Sequence, residues 1–308
     1  MNIGVIGLGS MGYGIATSLL RAGHTVHGAD INRAAVERLC EEGGAPLDVL
    51  SGAGRLNALI VAVLNAAQTE AVLFGEHGIV ARLPQRSVVI LCVTVAPDYA
   101  RSVADRCARR DVFFLDAPIS GGSVRAANGK LSVMASGAPQ AFAAARPVLD
   151  AVAERVFELG HGAGAGSAMK AVNQLLAGVH IATMAEAMTF AISQGIEPAT
   201  FMKVIPACAG TSWMLENRGP HIVAGDYTPH SAVDIWPKDL GIVLDVARAA
   251  KFAAPITAAA LQQFLCASGM GLGREDDSAV AKVYASNAGL KLPGSGTAQT
   301  DAAHPVAG

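Results

Sequence analysis

Gly7, Gly9 and Gly12 stand at the GxGxxG spacing, which lets backbone N–H groups close on a pyrophosphate. Glycine makes up 34 of the 308 residues, so about 0.4 such triplets are expected by chance in a chain of this composition. The setting of this one carries the signal. The β-branched run NIGVI precedes it, a helix-like stretch at 11–22 follows, and Asp30 closes the next strand-like run. Gly7 permits a tight turn, Gly9 a close approach of backbone to phosphate, and Gly12 the packing of helix on strand. Leu8, Ser10 and Met11 fill the loop, whose helix start faces negative charge. Asp30 accepts from both ribose hydroxyls and repels a 2′-phosphate, which favours NAD. Asn32 and Arg33 leave NADP open, since an arginine there either stacks on adenine or meets that phosphate.

These groups need a sheet edge to hold them. The first half of the chain alternates short apolar runs (2–6, 25–29, 58–63, 88–93, 112–115, 131–136, 155–159) with helical stretches, the pattern of an α/β doubly wound parallel sheet. Residues 1–162 are read as a dinucleotide-binding Rossmann domain. The run GHGAGAG at 160–166 is the candidate hinge, and 163–290 an all-α domain for substrate binding and oligomerisation. Residues 291–308 are rich in Gly, Pro, Ser, Thr and Ala and are expected to be a flexible tail. The apolar segment 165–196 carries Lys170, Asn173, Gln174, His180 and Glu186, costly in lipid, so a buried helix is expected rather than a membrane span.

Twenty-three basic against 25 acidic residues give a net charge of -2, so no broad basic field draws nucleic acid or anionic membranes. Cys40, Cys92, Cys107, Cys208 and Cys266 show no CxxC pair and are expected to be reduced, mostly buried thiols. His221 and His230 lack a third ligand, so no metal site is expected. Glu275, Asp276 and Asp277 read as a solvated helix start. Met1 leads directly into a strand with no signal segment ahead of it, which is read as a cytoplasmic chain.

The segment DAPISGGSVRAANGKL at 116–131 resembles the substrate-binding signature of the β-hydroxyacid dehydrogenases, which include 3-hydroxyisobutyrate dehydrogenase and tartronate semialdehyde reductase. Thr94, GAGSAMKAVNQ at 164–174 and KDL at 238–240 follow in that family's order. The resemblance covers roughly residues 1–290. It implies an NAD(P)-dependent oxidoreductase acting on a CH–OH group, assembled as a homodimer or homotetramer. Lys170 is implied as catalytic acid/base and Asn173 as a substrate contact. Ser120, Gly121 and Gly122 are implied as a carboxylate loop, Leu64 and Thr94 as cofactor contacts, and Lys238 as a neighbour of both nicotinamide and substrate.

The chemistry of these residue types agrees. A small-residue loop offers N–H groups and a hydroxyl to a carboxylate. Lys170, Asn173 and Gln174, three and four apart on a helix, share one face, expected to look into a cleft between the domains. A lysine takes a hydroxyl proton near neutral pH only where burial or a nearby cation lowers its pKa, and Lys238 is the candidate cation, or else a surface salt-bridge former beside Asp239. Arg125, commonly glycine in the family, either contacts a carboxylate or points to solvent, and His161 departs from the family's glycine run. Segments 173–182, 212–241 and 273–284 resemble a branch that oxidises C2 of a four-carbon sugar acid to a 2-oxo acid. Ser212, Trp213, Asn217 and Arg218 either face such a polyol or form helix surface. The alternatives are tartronate semialdehyde reductase, 3-hydroxyisobutyrate dehydrogenase and, in another class, a non-catalytic dinucleotide-binding assembly module. The joint presence of Ser120, Lys170, Asn173 and Lys238 weighs against the last.

Overall fold

The computed structural model describes residues 1–294, and the chain forms two compact units. One comprises Met1–Leu175 with Asp239–Ala254, the other Leu176–Lys238 with the chain from Pro255 onward. Two of the three boundaries fall inside helices, Ala165–Ser193 and Ile235–Ala249, and the third at the start of helix Pro255–Gly269.

The first unit is built on six parallel strands, β1 (Asn2–Ile6), β2 (Thr25–Ala29), β3 (Ala45–Pro46), β4 (Ala58–Val61), β5 (Val88–Leu91) and β6 (Phe113–Asp116), in the order β3-β2-β1-β4-β5-β6. β1 lies at the centre, with Ile3 opposite Val26 on one side and Ala58 on the other. Helices cover both faces, so a strand must be apolar on both. Ala58 and Ile60 enter one core cluster with Ile3, Val5, Val88 and Ile90, while Leu59 and Val61 enter the other with Ile6, Val89 and Leu91. This is why β4 and β5 read as unbroken apolar runs rather than as alternation. Each fully buried Val, Leu or Ile side chain among these contributes about 1.5–3 kcal/mol.

The doubly wound parallel sheet follows the alternation seen in the sequence, but the last strands do not join it. β7 (Ile119–Ser120), β8 (Leu131–Ala135) and β9 (Ala153–Glu158) form a separate sheet, antiparallel between β7 and β8 and parallel between β8 and β9. The short reversal after β6 sets this up, because Asp116 bridges to Ser136 and the chain turns back on itself at once.

The described residues of the second unit are helical, with Pro198–Val204, Trp213–Ala224, Pro255–Gly269 and Ala281–Asn287 as its separate α-helices. Here the acidic run at 275–277 is not a solvated helix start. Asp276 and Asp277 are both fully buried. Arg218 Nε and Trp236 Nε1 donate to Asp277 at 2.6 and 3.0 Å, and the His221 ring and His230 N–H meet Asp276 at 2.9 and 3.0 Å. Buried carboxylates survive only with such partners, and these come from distant parts of the sequence. The thiols also depart from expectation. All five are free, but Cys40, Cys208 and Cys266 are exposed, Cys92 is half-buried and only Cys107 is fully buried. At the C-terminal end Leu292 is buried and Gly294 packs on Gly225. Residues 295–308 of the expected tail lie outside the described residues.

Candidate active site

Four of the candidate positions converge on the carboxyl edge of the main sheet. Gly7 follows β1, Asp30 follows β2, Leu64 follows β4 and Thr94 follows β5. The strand order reverses direction between β1 and β4, and in open α/β sheets that switch point opens a crevice where ligands bind.

Within the loop, each glycine has its own physical reason. Gly7 has φ +92°, and a Cβ there would sit 2.6 Å from the Ala62 carbonyl oxygen. A Cβ on Gly12 would lie 1.8 Å from Gly7 O. The chain's own packing thus demands glycine at 7 and 12. Gly9 differs, because an added Cβ would meet nothing within 4 Å. Helix Ser10–Arg21 starts from Gly9 with no side-chain cap on its first N–H groups. Exposed Ser10 and half-buried Met11 follow in its first turn. Open space over an uncapped helix start is what an approaching phosphate requires, so these residues fit a dinucleotide.

The Leu8 side chain is buried, and its N–H donates to Asp30 Oδ2 at 2.6 Å. Asn32 N–H donates to Asp30 Oδ1 at 2.7 Å. These bonds aim the Asp30 carboxylate and leave each oxygen a further lone pair. Asn32 itself caps the helix Arg33–Glu41 by accepting from Ala34 N–H. Leu64 is exposed with its N–H held by Gln68 Oε1 at 2.8 Å, and Thr94 is half-buried before helix Pro97–Ala108.

Across the same unit, Lys170 lies near the start of helix Ala165–Ser193, almost fully buried, and its Nζ donates to Ile119 O at 2.8 Å. That carbonyl immediately precedes Ser120, Gly121 and Gly122. The two glycines have φ +131° and +76°, a turn that L side chains resist. Ser120 pairs with Ser132 of β8, so one end of the loop is fixed by a sheet. The other end opens the short helix Gly122–Ala127, which rides on helix Ser10–Arg21. A Cβ on Gly14 would meet Ala127 N at 2.7 Å, and Ser18 Oγ donates to Ala126 O at 2.9 Å. The small-residue sequence GYGIATS is what lets these two helices touch.

Asp116 secures the arrangement, and sequence reasoning did not single it out. It is fully buried at the end of β6. Its Oδ2 accepts from Gly164 and Ser167 N–H, both at 2.9 Å, and its Oδ1 from Ser167 Oγ at 2.7 Å. Burial pushes its carboxyl above the usual carboxylate range, against the opposing pull of these hydrogen bonds. It therefore pins the first turn of the helix whose next turn carries Lys170. Asn173 is half-buried one turn further on, and its Nδ2 donates to Gln174 Oε1 at 2.9 Å. Gln174 in turn donates to Asp239, which is buried and not part of the surface.

Lys238 is half-buried in the first turn of helix Ile235–Ala249, the last residue of its segment of the second unit. Arg125 stands 3.6 Å from Glu154, its stem against Gly121, and His161 is exposed. Ser212 caps helix Trp213–Ala224, Arg218 is bound to buried Asp277, and Trp213 is exposed. A serine just ahead of a helical run is a legible cap signal, but nothing in sequence marked the Arg218 pairing.

Comparison with known proteins agrees in both halves of the chain. Residues 2–160 match the NAD binding domain of 6-phosphogluconate dehydrogenase, and 164–284 the NAD-binding domain of NADP-dependent 3-hydroxyisobutyrate dehydrogenase. L-threonate dehydrogenase of Cupriavidus necator is 50% identical over 95% of this chain and 98% of its own. The Escherichia coli K12 protein of the same name is 48% identical over 95% and 97%. A crystal structure of 3-hydroxyisobutyrate dehydrogenase from Salmonella typhimurium superposes with a TM-score of 0.87 at 47% identity, covering 92% of this chain and 99% of that one. The chain belongs to the 3-hydroxyisobutyrate dehydrogenase-like family of β-hydroxyacid dehydrogenases, NAD(P)-dependent oxidoreductases acting on a CH–OH group.

Proposed function

We propose that this protein oxidises a short hydroxy carboxylic acid, L-threonate, at its C2 hydroxyl to 2-dehydro-L-erythronate, with NAD as acceptor. The observation that carries the chemistry is the contact of Lys170 Nζ with the carbonyl of Ile119, beside the loop Ser120–Gly121–Gly122. The substrate is supported by 48–50% identity to two L-threonate dehydrogenases across nearly the whole chain.

When bound, the dinucleotide supplies the acceptor for a hydride from C2. The chain's residues do the rest. Gly7–Gly12, Leu64 and Thr94 hold the dinucleotide, with Asp30 selecting a free ribose 2′-hydroxyl. Ser120, Gly121 and Gly122 hold the substrate carboxylate through N–H groups and a hydroxyl. Lys170 takes the C2 hydroxyl proton. A neutral amine keeps an N–H for Ile119 O while its lone pair faces the hydroxyl, so the anchoring bond survives both protonation states. Asn173 contacts substrate, and Lys238 serves cofactor and substrate. In this reading 1–162 binds the cofactor and 163–290 completes the substrate site and the subunit contacts of a cytoplasmic homodimer or homotetramer.

NAD reduction with L-threonate, followed for wild type and Lys170→Ala, tests this. Removing a general base costs about 10²–10⁴ in turnover, so near-equal rates would take Lys170 out of the chemistry. A second reading, 3-hydroxyisobutyrate oxidation, is favoured by the name of the Salmonella relative. A panel of L-threonate, 3-hydroxyisobutyrate and tartronate semialdehyde with both cofactors separates these, and absence of turnover on all of them would favour an assembly module.

A further inference from the structure

Asn173 is the candidate substrate contact whose orientation the sequence leaves undetermined, because a carboxamide presents an acceptor on one side and donors on the other, and the two ends have nearly the same shape. The surroundings decide which end faces outward. Asp239 is 2% exposed, and a carboxylate offers acceptors only. The atom of Gln174 that meets Asp239 Oδ2 must therefore be the donor Nε2. That choice turns Gln174 Oε1 the other way. An oxygen 2.9 Å from the Asn173 amide then demands a donor, so the Asn173 atom facing it is Nδ2. By elimination Asn173 Oδ1 is turned away from Gln174. The three side chains form a chain of forced choices that starts at one buried charge. Gln174 is itself 8% exposed, so both choices are made in a largely buried side chain.

The geometry points to Asp239 and Gln174 as positioning residues that fix the amide of Asn173 with its oxygen outward, as an acceptor for a hydroxyl of the substrate. This rests on the reading of Asn173 as a substrate contact. It adds a substrate class: a hydroxy acid whose hydroxyl donates to Asn173, as opposed to one that presents only acceptors there. Neither positioning residue needs to touch substrate. The dependence on Asp239 is polar and directional, which separates it from a packing role. Asparagine at 239 fills the same volume but offers both an acceptor and a donor, so Gln174 and then Asn173 lose their preferred sense.

The test is a double-mutant cycle on the intact enzyme with L-threonate and NAD, read as kcat and KM for each and accompanied by thermal melting. Asn173→Ala examines the underlying reading. Loss of one substrate hydrogen bond lowers kcat/KM for the hydroxy acid about tenfold with KM for NAD unchanged, and an unchanged value would remove Asn173 from substrate contact. Asp239→Asn is expected to raise KM for the hydroxy acid to a similar degree. Asn173→Asp alone is expected to be impaired, because it sets a carboxylate oxygen against Gln174 Oε1. Combined with Asp239→Asn, it lets Gln174 turn over, donate to the introduced carboxylate and leave an acceptor outward. Recovery in the double variant relative to either single variant supports the relay, since a merely structural defect would add. If Asn173→Ala is impaired while Asp239→Asn has wild-type KM, or if the double variant is worse than both singles, the relay is wrong and the substrate contact stands.

Discussion

Gly9 separates ligand binding from folding more sharply than the other two glycines of the nucleotide loop. Gly7 and Gly12 are demanded by backbone atoms within 3 Å of where a Cβ would stand, whereas the space over Gly9 is open. Gly12→Ala is therefore expected to distort the loop, lowering the melting temperature together with dinucleotide affinity. Gly9→Ala should change stability by no more than about 1 kcal/mol, the scale of a helix N-cap effect, while weakening NADH binding measured by fluorescence titration. Equal losses of stability in the two variants would mean that both glycines serve the fold alone. The loop was legible in sequence because its requirement is local, a strand, three glycines and a helix start in one run. Asp116 was not, because its role depends on Gly164 and Ser167, which only the folded chain brings to it.

At the level of elements, Asp276 is one of the buried groups that tie the segment after Gly225 to the segment before helix Ala281–Asn287, beside backbone hydrogen bonds such as Asp277 N–H to Ser231 O and Val233 N–H to Glu275 O. Asp276 accepts from His230 N–H and Ser278 N–H and pairs with His221, whose ring meets His230 edge-on at 4.8 Å. Burial pushes the Asp276 carboxyl up, but the hydrogen bonds from Ser278, His230 and His221 together bring it below its ordinary value. A carboxyl lowered on folding stabilises above its unfolded pKa, and that contribution disappears as the pH falls from about 3.9 through the folded value. Asp277 beside it runs the opposite way, raised by burial despite Arg218, so the comparison must be with a variant rather than with pH alone. Asp276→Asn should cost about 1–3 kcal/mol at neutral pH and flatten the acid limb of melting temperature against pH. Parallel limbs in the two proteins would remove Asp276 as the source. The sequence displays these acids as a charge run, and a charge run looks identical whether its partners are water or Arg218, Trp236 and His221. The parallel strands, by contrast, were readable because burial on both faces writes itself directly into composition.

For the whole molecule, one helix raises a question that its own chain does not answer. Helix Ala165–Ser193 is long and apolar enough to span a membrane by length and composition, yet less than half of its most apolar window is buried. The sequence predicts a buried helix, and the structure exposes Met169, Val172, Leu176 and Phe190 along it, at 44, 54, 49 and 66%. Hydropathy reports how much apolar surface a helix has but not which molecule covers it, so the period of the pattern could place Lys170 and Asn173 on one face without identifying the occupant of the other. A second copy of the chain is the occupant consistent with a homodimer or homotetramer. In a two-fold contact each substituted residue counts twice. Burying a Val or Phe side chain is worth about 1.5–3 kcal/mol, so placing a charge at one such position should weaken association about a hundredfold or more. Light scattering behind size exclusion should give a multiple of the chain mass for the wild type and a smaller species for Val172→Glu and Phe190→Glu, with helicity by circular dichroism unchanged. A wild type that runs as a monomer at all concentrations would leave this surface without a partner copy, and variants that keep the wild-type mass would move the subunit contact to another face.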